Sequence, residues 1–268
     1  MSSLGLAFAD GAVVAKRNLI KIKRVPELLI WTTMSPIMFV LLFAYVFGGE
    51  IQISGGVSYR EFLIAGVFVQ TVIFGSTFTG AGLAEDITKG IIDRFRSLPM
   101  AQSAVLIGRT SSDILYNSIS IVVMSIAGLI VGWRIHTGVV EAVQGFALLL
   151  LFAYAASWIM AYVGLKVSSV EVVQNASFMF IFPMTFIANT FVEPQNMPVV
   201  LRTFAYWNPV SAVAQSIRES FGNTGAPPPD AWSLQHPVAY SLIWIAVILA
   251  IFVPLSTRQY KKAAARAG

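Results

Sequence analysis

Six apolar stretches dominate the sequence, and each is about as long as the roughly 20 residues that a helix needs to cross a bilayer. They cover residues 28–48, 61–83, 111–133, 141–164, 173–192 and 237–256. The chain is 56% hydrophobic with a mean hydropathy of +0.74. A soluble domain of 268 residues has no core large enough for so much apolar side chain. The pattern therefore predicts an all-α integral membrane protein with six transmembrane helices in one domain, residues 1–268.

The positions of the basic residues predict the orientation of these spans. An even number of spans places both termini on the same side of the membrane. Under that topology, all but four of the 18 Lys and Arg residues lie on the side of the termini. The exceptions are Arg60, Arg134, Arg202 and Arg218. The positive-inside rule then makes that side cytoplasmic, which predicts a multi-pass protein of the cytoplasmic membrane. The net charge of +5 is explained by lipid headgroups, and no nucleic-acid partner is expected.

Residues 1–25 precede the first span and carry a basic cluster from Lys16 to Arg24. We expect this segment to form an interfacial helix on the membrane surface. The alternative is a solvated basic tail that only marks the topology. A cleaved signal peptide is not expected, because the apolar run from Leu28 is too long and no small-residue cleavage site follows it.

A short charged segment, EDITKGIIDRFRSLPM at 85–100, separates the second and third spans. Written as a helix over 85–98, it places Ile87, Ile91, Phe95 and Leu98 on one apolar stripe. Its acidic and basic side chains fall on another face, within reach of one another, and Pro99 ends the run. So short a helix is marginal in water, so the stripe needs a partner. The membrane surface, the protein's own helices and another subunit all remain possible partners.

Residues 193–235, between the fifth and sixth predicted spans, are too apolar for a free loop and too rich in proline for a span. Backbone that is not helical must be buried in protein at membrane depth. We therefore predict a re-entrant segment on the extracytoplasmic side, built from short helices that dip into the outer leaflet.

The sequence gives little support for chemistry of its own. It contains no cysteine, its histidines His136 and His236 are far apart, and no metal site is expected. Asp113 is the one carboxylate well inside a span, and Arg109 precedes it by four residues, which favours a structural pair over a proton relay. No GxxxxGK[ST] phosphate-binding loop is present. An intramembrane enzyme and a proton-coupled carrier are both disfavoured.

The residue order of the charged segment resembles the first cytoplasmic loop of ABC-2 exporter permeases, particularly the daunorubicin/doxorubicin-resistance type. The matching residues are Glu85, Asp86, Lys89, Gly90, Ile91, Ile92, Asp93, Arg94, Phe95, Arg96, Ser97 and Pro99. A second matching stretch is FPMTFIANTFVEPQNMP at 182–198, followed by NPV at 208–210. The resemblance extends over nearly the whole chain and says little about the cargo.

This resemblance implies that residues 85–99 form a coupling helix that docks in a groove of a separate ATPase subunit. The residues implied in coupling are Glu85, Asp86, Lys89, Gly90, Ile91, Asp93, Arg94, Phe95, Arg96 and Pro99. ATP and Mg²⁺ would then bind to the partner, with no cofactor in this chain. Two permease chains are expected, as a homodimer or a heterodimer. The implied cargo is a hydrophobic or amphiphilic drug, antibiotic or lipid moved out of the cell; lipid-linked glycan or polysaccharide export and a scaffold that tethers the ATPase are the alternatives.

The resemblance also implies a substrate pathway, because the family places the first, second and fifth spans along the dimer seam. The candidate pathway residues are Thr33, Gln70, Phe74, Asn175, Phe178, Phe182, Phe186 and Asn189. The alternative is structural: polar side chains within spans often bridge helices, and the phenylalanines could face lipid.

Overall fold

The computed structural model describes residues 26–48, 51–91, 102–167 and 169–266, and within them the chain is helical without a β-strand. The predicted interfacial helix at 1–25 lies outside the described residues. The helices are α1 (Pro26–Leu41), α2 (Tyr59–Thr88), α3 (Gln102–Val131), α4 (Val139–Lys166), α5 (Val170–Phe186), α6 (Val199–Trp207), α7 (Pro209–Phe221) and α8 (Pro237–Arg266). A π-helical turn, Leu42–Phe47, extends α1. Single helical turns lie at Ser54–Gly56, Pro194–Asn196 and Trp232–Gln235.

Four helices of the described chain, α2, α3, α4 and α8, are long and apolar enough to cross a membrane. They coincide with the second, third, fourth and sixth predicted spans. The first and fifth predicted spans are shorter helices, since the fully described apolar part of α1 and its extension is Met34–Phe47 and α5 has 17 residues. The all-α fold with several apolar helices long enough to span a membrane is therefore confirmed for the described residues, and the count of six spans stays a prediction.

The fifth predicted span, 173–192, is helical only as far as Phe186, and residues 187–192 form turns. In this turn region the backbone carbonyls of Asn189 and Thr190 accept hydrogen bonds from the side chain of Arg218. Arg218, which is distant in the sequence, thus donates hydrogen bonds to carbonyls that would accept from backbone N–H groups if the helix continued. Because residues 187–192 are largely apolar, hydropathy alone gives no sign of this helix end.

α2 is the central helix of the bundle and packs against α1, α3, α4, α5 and α7. Its residues Leu63, Ile64 and Phe68 have no exposed surface, and Leu149 of α4 and Ile217 of α7 belong to the same core. Inside a membrane such helices are held mainly by van der Waals packing and by hydrogen bonds between them. α2 therefore has little freedom to move without its neighbours.

Two helices cross closely where Gly80 of α2 meets Gly164 of α4. A Cβ atom at Gly164 would overlap the backbone carbonyl of Gly80, so the two backbones touch. Small residues allow this approach in membrane helices. Ser76 and Gly80 are small residues four apart on α2, and the structure places Gly80 against α4 of the same chain.

The segment 193–235 contains the predicted short helices, α6 and α7. Asn208 joins them: its side-chain oxygen accepts from the backbone N–H of Val210 at 2.9 Å, and its amide donates to the carbonyl of Met184 at 2.8 Å. Pro209 follows as the first residue of α7, where its missing N–H costs nothing. α7 is almost wholly buried against α2, α4 and α8. The segment therefore contains short helices, and their re-entrant arrangement in the outer leaflet stays a prediction.

The sequence predicts a separate helix that begins at Glu85, but the structure shows no helix start at this residue. Residues 85–88 are the last turn of α2, and the chain leaves that helix through Gly90, whose φ of +63° is left-handed. Glycine adopts this conformation without strain, which makes it a common residue just after a helix end. Gly90 therefore marks the end of α2. Residues 92–101 lie outside the described residues.

Candidate functional site

A cavity of about 370 Å³ opens between α1, α2, α3 and α5, and we call it the α2–α5 cavity. Its lining residues are Ser35, Pro36 and Phe39 of α1; Gln70, Thr71, Phe74, Gly75, Thr77, Phe78 and Ala81 of α2; Tyr116 and Ser120 of α3; and Gln174, Ser177, Phe178 and Phe182 of α5. Its volume is within the range of pockets that hold small molecules. It is the candidate functional site of the described chain.

Aromatic rings form one wall of the cavity. Phe178, Phe182 and Phe186 lie four residues apart on α5, so their rings point to one side of the helix. The centroids of Phe178 and Phe182 are 4.9 Å apart with nearly parallel planes, and those of Phe182 and Phe186 are 4.1 Å apart. Across from them, Phe74 of α2 lies 6.2 Å from Phe178. The wall therefore presents flat ring surfaces to whatever enters the cavity.

Other side chains of the lining are polar and uncharged. Gln70 is only 5% exposed, and its side-chain oxygen has no hydrogen-bond partner among the described residues. The hydroxyl of Thr77 is likewise buried without a partner there, whereas Ser177 donates to the carbonyl of Val173. An unpaired buried acceptor is costly, so a functional role is a reasonable explanation for Gln70.

The structure brings four of the eight predicted pathway residues together at this cavity: Gln70, Phe74, Phe178 and Phe182. Phe186 lies behind them, packed against Phe39 and Phe191 of the core. The side chain of Thr33 lies outside the described residues.

Two predicted pathway residues lie elsewhere. Asn175 is exposed on α5 and does not line the cavity, because it is one position past Gln174 and so points to another side of the helix. Asn189 is buried in the turns after α5, where its backbone N–H donates to Oγ of Ser211 and its carbonyl accepts from Arg218. Its surroundings indicate a structural role.

Sequence reasoning missed several lining residues, among them Pro36 and Phe39 of α1 and Tyr116 of α3. Pro36 stands out in the sequence as a proline inside an apolar span, which marks a site of irregular helix geometry. Phe39 follows it by three residues and so falls on the same face. Tyr116 carries no signal of its own, since its place in the cavity depends on how α3 packs against α2.

A seam of polar contacts joins α2 to α3 beside the cavity, and we call it the α2–α3 seam. Gly75, Thr79 and Gly82 of α2 meet Asn117, Asp113 and Arg109 of α3, respectively. The hydroxyl of Thr79 donates to the buried carboxylate of Asp113, and Nη2 of Arg109 donates to the carbonyl of Phe78 at 2.9 Å. The seam runs along both helices in antiparallel register. Asp113 and Arg109, predicted as a structural pair, thus both contact α2.

The end of α2 leads out of the seam into the charged segment. Nζ of Lys89 lies 2.6 Å from Oε1 of Glu85, four residues earlier, and this hydrogen bond raises the pKa of Lys89. Asp86 is buried, and Ile87 packs against a cluster of α2, α3, α4 and α8 side chains that includes Leu106. The first residue of the predicted apolar stripe is therefore covered by the protein's own helices. Asp93, Arg94, Phe95, Arg96 and Pro99 lie outside the described residues.

At the other end of the bundle, Arg218 of α7 is buried with 1% of its surface exposed. Its Nε donates to the carbonyl of Phe62 at 3.1 Å, and its Nη2 donates to the carbonyl of Asn189 at 2.6 Å. The guanidinium also lies 3.5 Å from the ring centroid of Phe62. These contacts replace the water that the charge loses on burial. Arg218 thereby fixes the turns after α5 against α2.

Known sequences resemble this chain over most of its length. The sequence profile of the ABC-2 type transporter family matches residues 11–221. The daunorubicin resistance ABC transporter permease protein DrrB1 of Streptomyces coeruleorubidus is 33% identical over 245 residues, which cover 91% of this chain and 83% of that protein. The probable doxorubicin resistance ABC transporter permease protein DrrC of Mycobacterium tuberculosis is 22% identical over 222 residues, covering 82% and 77% of the two chains.

Proposed function

The chain belongs to the ABC-2 type transporter family, and from that premise we propose that it is the permease subunit of an ATP-driven exporter. Its cargo would be a hydrophobic or amphiphilic compound, such as a drug, an antibiotic or a lipid, taken from the cytoplasm or the inner leaflet. The observation that carries this proposal is the α2–α5 cavity, with an aromatic wall and an uncharged polar lining between membrane-spanning helices. Its size suits a compound of drug dimensions better than a long glycan chain.

The proposed topology has six spans, with both termini in the cytoplasm. α1 and α5 would complete the set, since each runs beside α2 along apolar side chains. α6 and α7 would lie at the extracytoplasmic end, where the buried α7 closes the bundle. This orientation rests on the bias of basic residues toward the end that holds Lys89, Lys166 and Lys261. The protein would then reside in the cytoplasmic membrane.

Coupling to ATP hydrolysis would pass through the charged segment. α2 runs without a break from the cavity to Thr88, and Glu85 lies only four positions after Ala81 of the cavity lining. That separation is about 6 Å along a helix. A force applied to residues 85–99 by an ATPase would therefore reach the cavity wall through a rigid element, with the α2–α3 seam carrying α3 along.

The proposed assembly contains two permease chains and two ATPase subunits, as a homodimer or a heterodimer of permeases. ATP and Mg²⁺ would bind to the ATPase partner, in keeping with a chain whose sequence has no GxxxxGK[ST] motif. The two relatives support this division of labour, since both are named as permease proteins of ABC transporters.

The proposal is tested by ATPase activity of the complex between this chain and the nucleotide-binding subunit that co-purifies with it. In nanodiscs, the uncharged amphiphile N-phenyl-1-naphthylamine should stimulate hydrolysis. Phe182→Ala, in the aromatic wall, should weaken this stimulation, whereas Phe180→Ala, on the same helix but 66% exposed and outside the cavity lining, should leave it unchanged. Equal stimulation of all three proteins would contradict a role for the cavity, and absence of any ATPase partner would contradict the proposed function.

A further inference from the structure

The charge of the cavity lining limits what the α2–α5 cavity can hold. Among the described residues that line it there is no Asp, Glu, Lys, Arg or His. A charged ligand at such a site inside a bundle of membrane helices would lose its water without gaining a counter-ion. The lining therefore favours a ligand that is uncharged when it binds.

The shape of the aromatic wall adds a second condition. The rings of Phe178 and Phe182 are stacked with an angle of 25° between their planes, and Phe74 approaches Phe178 from α2. Phe178 is 57% exposed and so marks the mouth of the cavity, whereas Gln70 is buried at its inner part. A flat ring system can lie against such a wall with offset stacking or edge contacts.

The unpaired oxygen of Gln70 adds a third condition. Its Oε1 is shielded and has no partner among the described residues, so a ligand reaches this oxygen when the carboxamide turns about its terminal torsion, which it does easily. A ligand that donates a hydrogen bond would satisfy this acceptor, and a ligand without a donor would leave it unpaired. Sites built in this way discriminate strongly between ligands that differ by one donor.

We propose that the α2–α5 cavity is a binding site for uncharged, flat, ring-containing compounds that donate a hydrogen bond to Gln70 while their rings pack against Phe74, Phe178 and Phe182. This inference rests on the proposed function, for which it names the class of substrate. It also assigns distinct roles to the lining residues. The phenylalanines bind any flat apolar compound, and Gln70 selects those compounds that carry a hydrogen-bond donor.

The absence of cysteine from the sequence makes the site directly testable. Gln174→Cys places a single thiol in the cavity lining, and Asn175→Cys places one on the adjacent, exposed position outside it. Each purified permease in nanodiscs, without an ATPase, is labelled with a fluorescent maleimide. N-Phenyl-1-naphthylamine, which has two flat ring systems and one N–H, should slow the labelling of Gln174→Cys and leave that of Asn175→Cys unchanged.

Two compounds related to this probe test the hydrogen-bond donor and the charge separately. The N-methyl derivative has the same rings without the donor, and it should need roughly tenfold more compound for the same protection, the factor expected for one lost hydrogen bond. The 8-sulfonate has the rings and the N–H with a negative charge, and it should not protect. Adding Gln70→Leu to Gln174→Cys should abolish the preference for the donor, provided that the variant elutes and unfolds like its parent.

Lack of protection at Gln174→Cys, equal protection at Asn175→Cys, or protection by the sulfonate would each overturn the proposed site. Equal potency of the N-methyl derivative would overturn the role of Gln70 without any need for the Leu variant. Because the measurement uses the permease alone, protection without ATP-driven transport would keep the site and remove the proposed function. Transport without protection would keep the proposed function and remove the proposed site.

Discussion

The guanidinium of Arg109 in α3 occupies the space that Gly82 leaves open on α2. A Cβ atom at Gly82 would overlap Nη2 of Arg109, which donates to the carbonyl of Phe78 at 2.9 Å. Gly82 precedes Glu85 by three residues, so this contact joins α3 to the part of α2 that leads into the charged segment. We expect the α2–α3 seam to make the two helices move together when the segment is displaced.

Replacement of Gly82 by alanine should therefore force Arg109 out of the seam. We expect Gly82→Ala to destabilise the protein by about 1–3 kcal/mol, because the displaced guanidinium loses its hydrogen bond to the carbonyl of Phe78. Thermal unfolding of the purified protein in detergent measures this loss. A double-mutant cycle gives the control: in an Arg109→Ala background the same alanine should cost much less, because the clash is gone. Additive losses would show that Arg109 is not the reason for the glycine.

The hydrogen bond from Thr79 to Asp113 should matter for the same seam. Thr79→Val keeps the shape of the side chain but removes the donor, leaving the buried carboxylate of Asp113 short of a partner. We expect a loss of about 1–3 kcal/mol in unfolding free energy. Thr79→Ser keeps the hydroxyl and serves as the matched variant, with a clearly smaller loss. A loss for Thr79→Val no larger than that for Thr79→Ser would contradict a stabilising role for this hydrogen bond.

Gly90 should be required for its left-handed backbone, with φ at +63°. Gly90→Ala would strain the turn by about 1–2 kcal/mol or extend α2 by further residues, and either result would shift the charged segment. We expect reduced stimulation of the ATPase partner by transported compounds while the permease remains folded. Gly90→Asn is the matched control, because asparagine tolerates this conformation better than alanine does. Full coupling in the alanine variant would contradict the importance of this turn.

Arg218 should stabilise the end of α5 through the carbonyls that it contacts. Arg218→Met removes the charged donors to the carbonyls of Phe62 and Asn189, and we expect a loss of about 1–3 kcal/mol for each hydrogen bond. Arg218→Lys keeps the charge but lacks the planar fork that reaches both oxygens, so an intermediate loss is expected. Unfolding in detergent measures both. A neutral effect of Arg218→Met would mean that the turns at 187–192 are held by other contacts.

The sequence was sufficient for the spans of α2, α3, α4 and α8, because long apolar runs in helices determine burial in a membrane directly. It was not sufficient for the end of α5. That end depends on Arg218, which is distant in the sequence and comes close only after the bundle packs. The same holds for Asn189, predicted in the substrate pathway and found in contact with Arg218.

Half of the predicted pathway residues lie together in the α2–α5 cavity because spacing on a helix fixes which side chains share a face. Phe178 and Phe182 are four apart on α5, as are Gln70 and Phe74 on α2. The spacing also predicts Ile87 on an apolar stripe. Spacing alone does not show that side chains of the protein's own helices pack against this residue. The sequence did not predict the end of the helix at Gly90. A glycine within an amphipathic pattern can lie inside a weakened helix or in a left-handed turn, and the pattern does not distinguish the two.

The proposed function is tested most directly by transport in sealed vesicles. Proteoliposomes containing this chain and its ATPase partner, with the ATPase facing outward, should accumulate N-phenyl-1-naphthylamine when Mg²⁺ and ATP are added outside. Omitting the partner, or replacing ATP by a non-hydrolysable analogue, should reduce accumulation to the level of protein-free vesicles. Accumulation of the same size by this chain alone would contradict the proposal that a separate ATPase drives it.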